Sequence, residues 1–216
     1  SHRQYFDGKP ILLETVQGET VPVSINAKLV RVDNRDLIHA IVRPIGDQLE
    51  YEDSLKTLND VVTGLVEHDH VSDVAHTVVE SAVEDLGYCS CGLFEFDSDA
   101  VRLQLLDSSG PMPEGIVTQP TFGADGSNAW EAYRDGQIKI YNDVTLSGEV
   151  GGEDDRIGGE LIVPLGDQGV LLFSDCDGGE FDPVDIEIAE LFASAVESAL
   201  SRAEKVSSLR EKHKQL

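Results

Sequence analysis

Three cysteines, a group of histidines and a set of aromatic residues are what could do chemistry in this chain. Cys89 and Cys91, in YCSCGLFEF (88–96), share one face of a predicted strand, and Cys176 lies far along the chain. A protein metal site normally needs two close pairs or added histidines, so one C-x-C and a distant thiol is a weak metal or redox signal. Buried apolar cysteine is the default for such thiols. His68 and His70 flank Asp69, and His76 lies on the next predicted helix. They read better as a solvated junction than as a metal site. His213 sits on a polar C-terminal helix and reads as a surface residue rather than a phosphoacceptor. There is no phosphoacceptor-histidine box, no Gly-rich ATP lid, no P-loop and no dinucleotide fingerprint. An enzymatic reading rests on the three cysteines alone, so the expectation is a chain without catalytic residues.

The candidate binding wall is Phe122, Trp130, Tyr133, Tyr141 and Asp143, facing Leu161 and Val163. Aromatic side chains with one polar group suit a small planar or apolar ligand. The same rings could instead fill the space themselves, and the sequence leaves both readings open.

The elements that must position these residues follow from periodicity. Residues 10–45 read as a three-stranded meander: PILLETV, a QGE turn, TVPVSINAKLV with strict alternation, a VDNRD turn and LIHAIVRPI. Three strands with one apolar face are marginal alone. Residues 48–66 read as a helix whose Tyr51, Leu55, Leu58, Val62 and Leu65 step 4-3-4-3, a heptad seam. The expectation is a parallel dimeric coiled coil, with packing on its own domain as the alternative. Residues 71–86 give an amphipathic helix stopped at Gly87. Strands are expected at 88–96, 100–106 and 138–144, a short helix at 127–136 capped by Ser127 or Asn128, and a Gly- and acid-rich lid at 145–159. Glu160–Leu165 and Gly169–Ser174 are apolar runs separated by a tight turn, a hairpin signal. Asp182 can then cap a helix, Pro183 suits its first position, and Asp185 places negative charge on its positive end. That helix carries two apolar stripes, so it needs more than one partner. Val206, Leu209, His213 and Leu216 continue it to the end of the chain.

The stretch GELIVPLGDQGVLLFSDCDGGEFDPVDIEIAELFASAVESALSRAE (159–204) resembles the C-terminal half of a GAF domain. With AWEAYRDGQ and IYNDV upstream, the resemblance spans about 70–204. The segments GETVPV, NRDLI and VRPI resemble the C-terminal half of a PAS domain. Together they look most like PAS/GAF sensor histidine kinases of salt-loving archaea, with bacterio-opsin-activator-like regulators second. The implied fold is α+β: a GAF-like antiparallel sheet flanked by helices, preceded by a three-stranded PAS-like meander and a linker helix. The implied divisions are 1–46 partial PAS-like meander, 47–69 linker, 70–204 GAF domain and 205–216 exit helix. Methionine-sulfoxide-reducing members of the family carry thiols around the pocket loop. Residues 142–160 hold no Cys, which argues against that activity and against a covalently attached bilin. Where cyclic-nucleotide members carry Asn-Lys, this chain has Ser174-Asp175. The cofactor is left unknown.

Charge is the extreme compositional feature: 16 Lys+Arg against 41 Asp+Glu, net −25. Residues 1–46 hold six cations and five anions, which leaves −26 on the remainder and marks a boundary near residue 46. Nucleic acid is disfavoured as a partner, because binding it requires phosphate neutralisation. Apolar periodicity argues against disorder. The better account is adaptation to a salty cytoplasm, where the Debye length is about 3 Å at 1 M salt. No apolar run approaches the ~20 residues of a membrane span, and with no basic-plus-apolar leader pattern in these residues secretion is not expected. The opening Ser1-His2, without Met, suggests a piece of a longer chain. The expected function is a cytoplasmic sensory input module that binds a small ligand and signals through dimeric helices (48–66 and 186–216). The alternatives are a ligand-free dimerising relay and the sensor part of a transcriptional activator.

Overall fold

A computed structural model describes residues 5–6, 10–32, 35–111, 121–122, 127–145, 156–175 and 181–214. The chain divides into two compact units, Ser1–Asp53 and Ser54–Leu216.

The first unit is an antiparallel sheet centred on β3 (Thr20–Val32). β1 (Tyr5–Phe6) and β2 (Pro10–Glu14) pair different stretches of β3, and β4 (Arg35–Pro44) pairs it from Val23 to Val32. The predicted meander is therefore present, extended by the two-residue β1. Its described strands bury little: Val23 is covered, whereas Leu12, Leu29, Leu37, Ile38 and Ile41 are exposed. Helix α1 (Gly46–Leu65) begins in this unit and ends in the second.

The second unit is built on a six-stranded antiparallel sheet in the order β7-β6-β5-β10-β9-β8. The strands are β5 (Ser90–Asp97), β6 (Arg102–Ser109), β7 (Thr121–Phe122), β8 (Lys139–Thr145), β9 (Arg156–Pro164) and β10 (Gly169–Asp175). Three of its helices are α2 (Val71–Glu84), α3 (Asn128–Asp135) and α4 (Pro183–Lys214). β9 begins at Arg156, so the last residues assigned to the predicted lid are strand; residues 146–155 lie outside the described residues.

The sequence signals for α4 operate as expected. Asp182 Oδ1 accepts from the backbone N–H of Val184 and Asp185 at 2.7 and 2.8 Å. Asp185 returns the favour by accepting from Asp182 N–H at 2.9 Å. Two donors that a helix start would leave orphaned are thereby satisfied. Successive strand residues face opposite sides of the sheet. One side therefore presents Cys91, Leu93, Leu161, Val163, Leu171 and Phe173 to α2, α4 and the end of α1. The seam residues of α1 go there too: Leu58 and Leu65 are buried in this core, and Leu55 and Val62 pack against it. The stripe expected to form a coiled-coil seam thus packs on its own domain, because the sheet already offers it an apolar partner.

The close of α1 is tied to α4. Arg202 Nη2 donates to the carbonyls of Leu65 (3.1 Å) and His68 (2.6 Å). Arg210 Nη2 donates to Asp69 Oδ2 at 2.6 Å, and Arg202 Nη1 lies 3.6 Å from Asp69 Oδ1. The Arg202 guanidinium thus meets the Leu65 carbonyl, one of those that a helix end leaves without internal partners, and both arginines meet the Asp69 carboxylate.

Candidate functional site

The opposite side of the sheet is covered by α3, and its character changes along the strands. Toward the β9–β10 turn it is apolar: Phe94, Leu103, Ile162, Val170 and Leu172 are buried with Ala129 and Ala132 of α3. Gly169 permits the close pairing there, since a Cβ on it would collide with the Phe94 carbonyl. Phe96, Trp130 and Tyr133 close on one another, with ring centroids 4.7 Å (Phe96–Tyr133), 5.8 Å (Trp130–Tyr133) and 6.2 Å (Phe96–Trp130) apart. The Tyr133 hydroxyl donates to the Asp167 carbonyl at 3.2 Å. Burial, and then Asp167, holds the phenol above its ordinary pKa.

Toward the other end the same face turns polar while remaining buried. Ser90 pairs with Ser174, Ser174 with Glu160, and Glu160 with Tyr141, in one row across β5, β10, β9 and β8. All four share the α3 face by strand parity with Phe94, Leu172 and Ile162, so neighbouring Cβ atoms stand about 4.5–5.5 Å apart. Ser90, Ser174 and Glu160 are 0, 1 and 5% exposed. Neither serine hydroxyl has a hydrogen-bond partner among the described residues. Asn128, at the first turn of α3, donates to Glu160 Oε2 at 3.2 Å. Burial pushes the Glu160 carboxyl above the usual range, partly offset by that bond, and among the described residues no cationic side chain contributes. Gly110 closes one end; a Cβ there would stand 2.8 Å from Ser90 Cα, at a φ of +79°.

An unpaired buried hydroxyl costs about 1–3 kcal/mol, and buried polar groups in native proteins are normally bonded. Two such hydroxyls stand beside a carboxylate with one described bond, a buried row with unused hydrogen-bonding capacity. Ser127 fixes its α3 wall: its Oγ accepts from Trp130 N–H at 3.1 Å, and Gly136 ends the helix in the left-handed conformation.

Set against the predicted wall, the structure brings Trp130, Tyr133 and Tyr141 to this face. Trp130 and Tyr133 join Phe96 rather than the polar row. Leu161 and Val163 are a correction: both lie in the helix-side core, and the α3 face carries Glu160 and Ile162 instead. A strand buried on both sides has no apolar–polar alternation from which to read its facing. Phe122 pairs with Leu103 through β7 and Asp143 belongs to β8, but the side chains of both lie outside the described residues.

The cysteines divide. Cys91 is a free, fully buried thiol whose pKa burial drives far upward, as expected of an apolar cysteine. Cys89 is disulfide-bonded, which departs from that expectation; Cys176 lies outside the described residues. His68 Nε2 shares a 3.0 Å bond with the Thr77 hydroxyl, and His76 Nδ1 lies 3.1 Å from Asp107 Oδ2. Among the described residues no three His, Cys, Asp or Glu side chains gather as a metal site. A cleft of about 250 Å³ opens beyond the polar row, lined by Leu86, Tyr88, Cys89, Phe181 and Asp185 among others. The Tyr88 hydroxyl donates to the Asp185 carbonyl there at 2.9 Å, in the first turn of α4.

The family model described as "GAF domain" matches residues 68–201. Several solved structures share the fold. The GAF domain from a phosphoenolpyruvate-protein phosphotransferase of Coxiella burnetii is 15% identical, with a TM-score of 0.62, over 73% of this chain and 98% of that one. Free methionine-R-sulfoxide reductase of Neisseria meningitidis, solved with its substrate, is 15% identical, TM-score 0.61, over 72% and 93%. The second GAF domain of DevS from Mycobacterium smegmatis is 20% identical, TM-score 0.51, over 66% and 99%. Among curated proteins nothing matches the sequence.

Proposed function

The chain belongs to the GAF domain family, whose members are sensory and regulatory small-ligand modules of signalling proteins, and on that premise we propose that this module binds a small ligand at the Ser90–Ser174–Glu160 row and reports it through α4. The observation that carries the reading is the row itself: two buried, unpartnered hydroxyls and a buried carboxyl on one face. β10 leads into the approach to α4, so a ligand that draws on Ser174 acts one short connection from the helix. A ligand shifts the module between states only by its difference in affinity for them.

The module is read as part of a cytoplasmic sensor with a PAS-like segment upstream and a kinase or DNA-binding output downstream. It is read as a homodimer through helices 48–66 and 186–216. The exposure of Val66, Leu191 and Leu209 supports that arrangement. Adaptation to high salt rests on the net charge of −25. Loss of circular dichroism on moving from molar to millimolar KCl is expected, since self-repulsion is then unscreened; an unchanged spectrum would overturn it.

The second reading is a ligand-free relay, favoured by the self-filling Phe96–Trp130–Tyr133 cluster. Mass spectrometry of small molecules released from protein purified in molar KCl separates the two. A stoichiometric compound lost from the Ser90→Ala, Ser174→Ala double variant supports the sensor. Protein that carries nothing, and whose melting no added compound shifts, supports the relay.

A further inference from the structure

Taking the polar row as the ligand site, we propose that it accepts a small molecule, neutral overall or cationic, whose N–H group donates to Glu160 and whose oxygen accepts from Ser174 and Ser90. The row is asymmetric in hydrogen-bonding capacity. An ionised carboxylate is acceptor-only, with room for about four bonds. Glu160 receives one among the described residues, from Asn128. Each serine hydroxyl can donate one bond and accept others, and both are free to do so. Adjacent strands lie about 4.8 Å apart, so the Glu160 end and the Ser90 end, two strands away, are separated by about 10 Å before the side chains reach inward. A molecule of a few heavy atoms, with a donor and an acceptor at opposite ends, spans that distance.

Other chemistries fit worse. An anion would meet Glu160 with no cation among the described residues perturbing that carboxyl. A purely apolar ligand would leave two buried hydroxyls unpaired and Glu160 with a single described bond, which is the costly outcome. A nitrogen donor stabilises the ionised carboxylate that burial disfavours. Among the described residues, the groups facing Glu160 are Tyr141 on β8, Ser174 on β10 and Asn128 on α3, with Glu131 and Lys139 beside Tyr141. Lys139 is engaged by Asp135 at 2.9 Å, and among the described residues only Asn128 donates to Glu160, so a ligand nitrogen would be a second donor to the carboxyl. Binding then favours the ionised carboxyl and tightens as pH rises through that residue's folded range.

The test is nuclear magnetic resonance titration of isotopically labelled whole chain in molar KCl with three probes: glycinamide, ethanolamine and propionate. Glycinamide and ethanolamine are expected to shift the amides of Ser90, Glu160 and Ser174, and propionate to leave them still. Glu160→Gln, checked for folding by circular dichroism, is expected to weaken the nitrogen probes at least tenfold and to abolish the pH dependence. Ser174→Ala is expected to weaken glycinamide, which has a carbonyl acceptor, while leaving protein stability undiminished. Binding of propionate in preference to the nitrogen probes would overturn the ligand class while leaving a ligand site at the row. If no probe shifts these amides and the purified protein holds only water there, both the class and the sensor reading fall.

Discussion

The two faces of the central sheet are built from the same strands, yet they do different work. The helix side joins residues from β5, β9 and β10 to three helices, with Phe173 and Phe192 fully buried and their ring centroids 6.4 Å apart. The α3 side has one short helix, a compact apolar half and a polar half with unpartnered hydroxyls. A face devoted to stability satisfies its buried groups. On the proposed reading, the α3 face leaves some open and is less stable for it until a ligand arrives.

Substitutions can break or sharpen that contrast. Phe173→Ala on the helix side should cost about 3–5 kcal/mol, as large-to-small core changes do. Urea unfolding reads it, and a loss below 1 kcal/mol would mean that this face is not the stabilising one. Glu160→Gln should act in the opposite direction, stabilising the empty protein at neutral pH by about 1–3 kcal/mol. The sign follows from the raised carboxyl pKa: the folded protein keeps the proton longer than the unfolded chain does. Stability therefore falls as pH climbs from the ordinary Glu range to the folded value, and the Gln variant lacks that fall. Parallel pH–stability curves for the two proteins would refute it. Ser127→Ala removes the α3 cap and should cost about 1 kcal/mol, with ligand affinity falling too because Asn128 follows directly. A loss of stability with affinity untouched would separate α3 from the site. Ser174→Ala should be the smallest change, a gain of up to about 1 kcal/mol from deleting an unsatisfied hydroxyl. A clear loss in thermal melting would show that the hydroxyl is already satisfied.

Much of the scaffold was legible in the sequence because local chemistry dictates it. The β9–β10 hairpin is marked by apolar runs around a two-glycine turn, and α4 by Asp182, Pro183 and Asp185. The polar row was not legible, because Ser90, Glu160 and Ser174 become neighbours only through strand register. One signal was available: Glu160 is an acid at the head of an apolar run that ends up buried. The facing of Leu161 and Val163 was misread for a related reason, since both sides of β9 are covered. The heptad in α1 was read correctly as an apolar stripe, but periodicity alone does not say whether the partner is another chain or the same one.

Arg202, reaching from α4 to the carbonyls of Leu65 and His68, gives the module a property beyond rigidity. The segment that enters the domain and the helix that leaves it are pinned at one place. Were the proposed ligand site coupled to α4, the exchange would have no preferred direction: whatever seized the far end of α4 would change ligand affinity by the same factor that ligand changed its grip. An output partner would thus tune the sensitivity of its own sensor, and a chain severed from that partner would report a different threshold from the intact one.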